Sequence, residues 1–230
     1  MTTEEQTLLE RKIDNEIVDS LCPFIKSAFK LMEEDTNSEF TYAYLLLLST
    51  GIERLQKIIY ILKKVNDEAT IPSENNLKKL SHDIAKTYRN KIKPTLDTEK
   101  LFINEEDILN QALTIITEII MTLRYANFDF ISEDSFEIPS HLTQIIVKDK
   151  YTFELNVDYI NISKNILNLV LKKYIASLVD LIWNKKVNSN IEVLPICLQE
   201  FLTTGYLELD LHVEIQNIIN EENEKAKERT

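Results

Sequence analysis

Glycine is almost missing from this chain: two in 230 residues, with five prolines and three histidines. So few glycines leave few places where the backbone can take positive φ, so tight hairpins cannot organise the fold. A phosphate cradle built on glycine is excluded for the same reason, and no Gly-x-Ser-x-Gly elbow is present. No His-Glu-x-x-His or Cys-x-x-Cys occurs, so neither a metal nor a cofactor is called for. The two cysteines, Cys22 and Cys197, have no metal-ligand spacing and make no disulfide framework. Both stand among apolar neighbours, so buried free thiols in a reducing cytoplasm are expected. No apolar run reaches the ~18 residues of a membrane span. The opening MTTEEQTLLERK has no apolar stretch, so no secretory signal is expected.

What the chain has is apolar residues and negative charge. Hydrophobic residues make up 44%, enough for a substantial core, and the net charge is −12. That charge disfavours non-specific attraction to nucleic acid or anionic membrane. One quarter runs against it: residues 51–100 hold 11 Lys and Arg against 7 Asp and Glu.

Long stretches repeat apolar residues at three and four, the helical spacing. Leu9, Ile13, Ile17, Leu21, Phe24, Ala28 and Leu31 mark a first helix over 5–33, with Pro23 expected to kink or divide it. A second helix, about 38–65, opens behind a Thr36-x-x-Glu39 capping box. It is apolar nearly all round at Phe40–Leu48, as a central helix would be. Gly51 lies inside it, where close approach of another helix would justify the residue. A third helical region covers 73–91, with Ser81 as a candidate internal N-cap and Pro94 as its end. A fourth begins at Asn104, with Glu105, Glu106 and Asp107 in the first turn, where the helix dipole favours anions. After residue 131 the composition becomes polar, and Ile145–Val147 with Tyr151–Val157 admit a short β-hairpin. Helices return over 160–184, over 194–203 before Gly205, and over 210–227, whose charged end EENEKAKER reads as solvated. The fold class is all-α: an antiparallel helical bundle over 1–131, a linker or extended arm over 132–158, and a C-terminal helical extension over 159–230.

The candidate chemistry gathers in the basic quarter. Glu53 and Lys57 stand on one face of a helix, and Ser81-His82-Asp83 opens the next. Each has a plain structural reading, as a surface i,i+4 pair and as a helix start. Together, Gly51-Ile-Glu-Arg-Leu-Gln-Lys57 and Leu80-Ser-His-Asp-Ile84 resemble the HEPN domains of prokaryotes over about residues 38–131. The resemblance implies a four- or five-helix bundle that often dimerises. It also implies metal-independent RNase activity of the toxin–antitoxin, CRISPR or phage-defence kind, or else a nucleotide- or partner-binding role. The family's RNase motif is an Arg, a polar residue and a His on a late helix. Here Arg124, Asn127 and Asp129 stand in that place, with Asp129 where His is expected, so the motif is degenerate.

Metal-independent RNA cleavage needs a base for the 2′-OH proton and a cation for the phosphorane. Histidine and arginine suit these roles, so His82 and Arg124 are the candidates, with Asp83 or Asp129 to orient the imidazole. Lys78, Lys79, Lys86, Arg89 and Lys91 are the candidate RNA contacts, a local positive potential within an acidic chain. The expected partners are a second copy of the chain, RNA, and an antitoxin or defence-system protein, with no membrane. The dimer rests on the resemblance and on the many apolar positions over 160–184. Two other readings stand beside the RNase: a non-catalytic helical interaction or oligomerisation module, and an adaptor binding a nucleotide in the bundle groove.

Overall fold

The apolar spacing produces helices throughout. The computed structural model describes residues 1–34, 41–80, 82–102, 104–126, 151–188 and 190–228, and among these no strand forms. Helix α1 is Thr3–Glu16, begun by a capping box in which Thr2 Oγ1 accepts from Glu5 N and Glu5 Oε2 accepts from Thr2 N. Helix α2 is Cys22–Glu34, and a π turn at Ile17–Leu21 joins the two. That turn absorbs Pro23: Cys22 N–H donates five residues back to Ile17 O, easing the clash a proline ring makes with the preceding turn.

Helix α3, Thr41–Glu68, packs most extensively on α2. It buries Tyr44, Leu45, Leu48, Ile52, Leu55, Ile59 and Leu62. Gly51 stands where the helices touch: a Cβ there would lie 2.6 Å from Ile25 Cγ1. The close approach expected of Gly51 is therefore present. Thr36, Glu39 and Phe40 lie outside the described residues.

The region 74–98 differs from its sequence reading. It forms α4 (Glu74–Lys78), α5 (Ile84–Thr87), a π turn (Tyr88–Ile92) and α6 (Lys93–Thr98). The N-cap of α5 is Asp83, not Ser81, and Ser81 itself is outside the described residues. Pro94 does not end the helical path. It sits in the first turn of α6, where its missing N–H costs nothing, behind a π turn in which Lys93 N–H donates to Tyr88 O. Both prolines thus sit second after a π turn.

Helix α7 is Glu106–Ala126. The linker read over 132–158 is described only from Tyr151. Tyr151–Val157, read as one arm of a hairpin, are irregular, and 145–147 lie outside the described residues. A side chain takes the place of a partner strand: Glu154 N donates to Asn223 Oδ1 (2.9 Å) and Asn223 Nδ2 donates to Thr152 O (3.0 Å).

Helix α8, Tyr159–Trp183, starts at the N-cap Asp158 and contacts α3, α7 and the C-terminal helices. Every residue from Lys173 to Ile182 is buried, so it is enclosed on all sides. The apolar surplus read as a dimer surface is consumed inside the chain. A 3₁₀ turn (Ile196–Leu198), α9 (Glu200–Thr203), Gly205 at φ 75° and α10 (Leu211–Glu228) complete the fold. One hydrophobic cluster extends from Leu9 to Ala226 and takes in residues from both the N-terminal helices and the 159–230 segment.

Two further expectations are corrected. The charged end of α10 is not simply solvated: Glu222 is 2% exposed and accepts from Asn161 Nδ2 (3.0 Å) and Lys225 Nζ (2.6 Å). Cys22 and Cys197 are not free thiols; they form a disulfide across 175 residues, with their Cα atoms 6.3 Å apart. The start of α2 and the 3₁₀ turn meet only in the folded chain, so no local spacing announces the pair. The bond also removes the ground on which a reducing cytoplasm was expected. Among the described residues no helix is long and apolar enough to cross a membrane.

Candidate functional cleft

Helix α3 presents Glu53, Arg54 and Lys57 to a cleft of about 530 Å³, closed on its other side by Leu77 and His82. The chain carrying His82 is short and has no helix of its own, yet it is held at several points. Buried Gln56 on α3 donates through Nε2 to Ile84 O (3.2 Å) and to Tyr174 Oη on α8 (2.9 Å). Thr87 Oγ1 donates back to Leu80 O (2.7 Å). Asp83 Oδ1 accepts from Lys86 N (2.8 Å), and Ala85 N donates to Thr117 Oγ1 of α7 (3.3 Å). The loop is therefore fixed on α3, α7 and itself.

Within this frame Glu53 is the hub. Its Oε1 accepts from Lys57 Nζ (2.6 Å), and its Oε2 meets His82 Nδ1 (2.8 Å). An ionised carboxylate only accepts, so Nδ1 carries the proton in this contact. No described residue bonds Nε2, and the His82 side chain is 53% exposed against 14% for Glu53. The imidazole is held through Nδ1 by a mostly buried carboxylate, while its side chain stays half exposed. This is the arrangement a proton-transferring histidine uses. Arg54 pairs with Glu16 and lies over the Phe24 ring, 5.3 Å from its centroid.

The structure thus brings Glu53, Lys57 and His82 together. Asp83 is not the imidazole's partner, because its carboxylate caps α5 instead; Glu53 takes that place. Arg124 lies on α7, but its side chain, Asn127 and Asp129 are outside the described residues. The register of α7 against α5 places its backbone. Ala85 meets Thr117, whereas Arg89 Nη1, one turn later on its own strand of chain, reaches back to Asn110 Oδ1 (3.1 Å). The two helices run in opposite directions, so α7 approaches the His82 end beyond Thr117, and position 124 is two turns further.

The five basic candidates are all exposed but differently engaged. Lys78 pairs with Glu74 (2.7 Å), Arg89 turns toward α7, and Lys91 lies 5.7 Å from the Tyr60 ring centroid. Lys79 and Lys86 flank the His82 loop with no side-chain partner among the described residues. Gln56, which fixes the loop, escaped the sequence reading, although a lone amide on the apolar stripe of α3 was a usable signal. Among the described residues no group of three or more His, Cys, Asp or Glu side chains is placed to hold a metal ion.

Comparison with known proteins gives no match: no family model, no curated protein and no solved structure matches the chain.

Proposed function

We propose that the chain is a HEPN-like RNA-handling protein of a prokaryotic defence or toxin–antitoxin system, and that single-stranded RNA is cleaved at the His82 cleft without a metal. The observation that supports this reading is the Glu53 Oε2–His82 Nδ1 contact of 2.8 Å on an imidazole whose side chain is 53% exposed. In the proposed reaction Nε2 takes the ribose 2′-OH proton, and the 2′-oxygen attacks the adjacent phosphorus. The bond from phosphorus to the 5′-oxygen breaks, and the imidazolium returns its proton to that oxygen. The products are a 2′,3′-cyclic phosphate and a 5′-hydroxyl. Lys57 and Arg124 are the candidate cations for the phosphorane. Exposed Lys79 and Lys86 supply the local potential that draws a polyanion to a chain of net charge −12. A homodimer, as in the family it resembles, belongs to the same proposal.

One observation favours the non-catalytic interaction module instead: Lys57, Arg54 and Lys78 each already have a carboxylate partner. Incubating unstructured RNA with the protein in EDTA and low salt separates the two. Cleavage leaving 2′,3′-cyclic ends is expected for the wild type, with a loss of about 10²-fold or more in His82→Ala. Cleavage that survives His82→Ala rejects the site. A wild type that neither binds nor cuts RNA leaves the interaction module as the better reading.

A further inference from the structure

A second cavity, of about 330 Å³, opens between α2, α8 and the turn after α9, and shares no lining residue with the His82 cleft. Its floor is aromatic. The Phe29 and Phe201 rings are 5.6 Å apart between centroids, and Tyr206 is 6.4 Å from Phe201. Lys172 rises from α8 between them, with Nζ 5.2 Å from the Phe29 centroid and 5.8 Å from that of Tyr206. Ring faces attract an ammonium without neutralising it, and no carboxylate pairs with Lys172 among the described residues.

The rim balances charge differently. Lys26 and Lys30 stand with Glu33 and Glu200 around the opening, and Lys26 lies 3.6 Å from Glu200. The two rim carboxylates repel a polyanion, and the volume suits a small molecule rather than a chain. The walls are also fixed in place. The disulfide joins Cys22, one turn before Lys26, to Cys197, one turn before Phe201. We propose that this cavity binds a small planar aromatic monoanion, its carboxylate on Lys172 Nζ and its ring against Phe201 and Tyr206.

The test is calorimetric titration of the oxidised, full-length chain with 2-naphthoate, and with 2-naphthalenemethanol as a neutral analogue carrying the same ring. Naphthoate is expected to bind saturably below about 1 mM, and the neutral analogue about tenfold more weakly or worse. Lys172→Gln is expected to remove that preference and Lys172→Arg to keep it, with thermal unfolding checked for both variants. Equal binding of the two ligands by the wild type overturns the proposal, because the cavity is then merely apolar. No saturation by naphthoate overturns it too, as does unchanged naphthoate binding by a folded Lys172→Gln.

Discussion

Two carboxylate–cation sites in this molecule use the same ingredients toward opposite ends. In one, Glu105 meets Lys173, and both side chains are under 10% exposed. Glu105 Oε1 also accepts from Leu211 N (2.6 Å), the first residue of α10, while Lys173 donates to Leu209 O. These bonds tie the start of α7, the middle of α8 and the start of α10 into one junction. In the other, Glu53 holds Lys57 and His82, but the imidazole stays half in solvent. Burial makes the first site architecture, because its groups are committed to partners and removing one strands another. Partial exposure makes the second worth little for stability, and it leaves the imidazole half in solvent.

The sharpest way to break that contrast is to strand the buried carboxylate. Lys173→Ala is expected to cost about 3–5 kcal/mol, read from urea unfolding, because Glu105 is left buried without its partner. The double change Glu105→Leu with Lys173→Met should recover a large part of the loss. A single Lys173→Ala within about 1 kcal/mol of wild type would show that the junction is not dry.

The disulfide asks whether the polar junction alone docks the C-terminal segment. Reduction of Cys22–Cys197 is expected to cost about 2–4 kcal/mol, since the bond closes a very long loop in the unfolded chain. If the Glu105 junction holds α10 by itself, amide exchange in α10 should stay slow after reduction, while Ile196–Thr203 loosens. Thiol titration of the unfolded, unreduced chain should find no free thiol; two free thiols would remove the bond altogether.

How far these sites were legible in the sequence follows from how local their causes are. Gly51 announced its helix contact because a glycine inside a helix costs stability unless a neighbour needs the space a Cβ would fill. Glu53, Lys57 and His82 stood out as two neighbouring motifs, an i,i+4 pair and a helix start, but their contact was not legible: Asp83 or Asp129 was expected to orient the imidazole, and Glu53 meets it instead. Glu105 was misread. Its place before α7 suggested a carboxylate facing the helix dipole, whereas its side chain reaches a backbone amide 106 residues away. The cysteine pair and Glu222 were hidden for the same reason: Cys22 meets Cys197 only once α2 and the 3₁₀ turn have packed, and Glu222 meets Asn161 only once α8 and α10 have. Proline misled at 94 but not at 23: a π turn carries the helical path past both, which agrees with a kink or division at Pro23 and not with an end at Pro94.

Alkali sharpens the contrast at smaller scale, because the interior holds phenols that the cleft lacks. Burial pushes the Tyr88 hydroxyl up to about 12, and burial raises Tyr44 and Tyr174 further. An unfolded tyrosine releases its proton near pH ~10. Between those values the unfolded chain has lost protons that the folded chain keeps, so stability is full below pH ~10 and falls as pH rises. Tyr88 should contribute a slope of about 1.4 kcal/mol per pH unit in that window. Urea midpoints between pH ~8 and ~11 test this, and Tyr88→Phe should flatten the decline. An unchanged slope in that variant would remove Tyr88 from the account.

The smallest expected effect bears most directly on function. Glu53→Gln removes the charge behind His82 and loosens Lys57, yet both partners are at least partly exposed. The stability change should stay within about 1 kcal/mol. The imidazole itself should change more. With an ionised Glu53 accepting, neutral His82 is held with its proton on Nδ1 and a lone pair on Nε2. Glutamine offers a donor as well as an acceptor, so that restriction is relaxed and the Nε2-protonated tautomer can populate. Long-range proton–nitrogen correlation spectra of the ¹⁵N-labelled protein read this ratio directly. Wild type should show a bare Nε2 on His82, and Glu53→Gln should move the population toward protonated Nε2. His212, whose Nε2 lies 3.1 Å from Asn104 O and so carries the proton there, serves as the internal reference for the opposite tautomer. If His82 in the wild type shows the same pattern as His212, Glu53 does not orient it, and the cleft loses the feature that sets it apart from the buried junction.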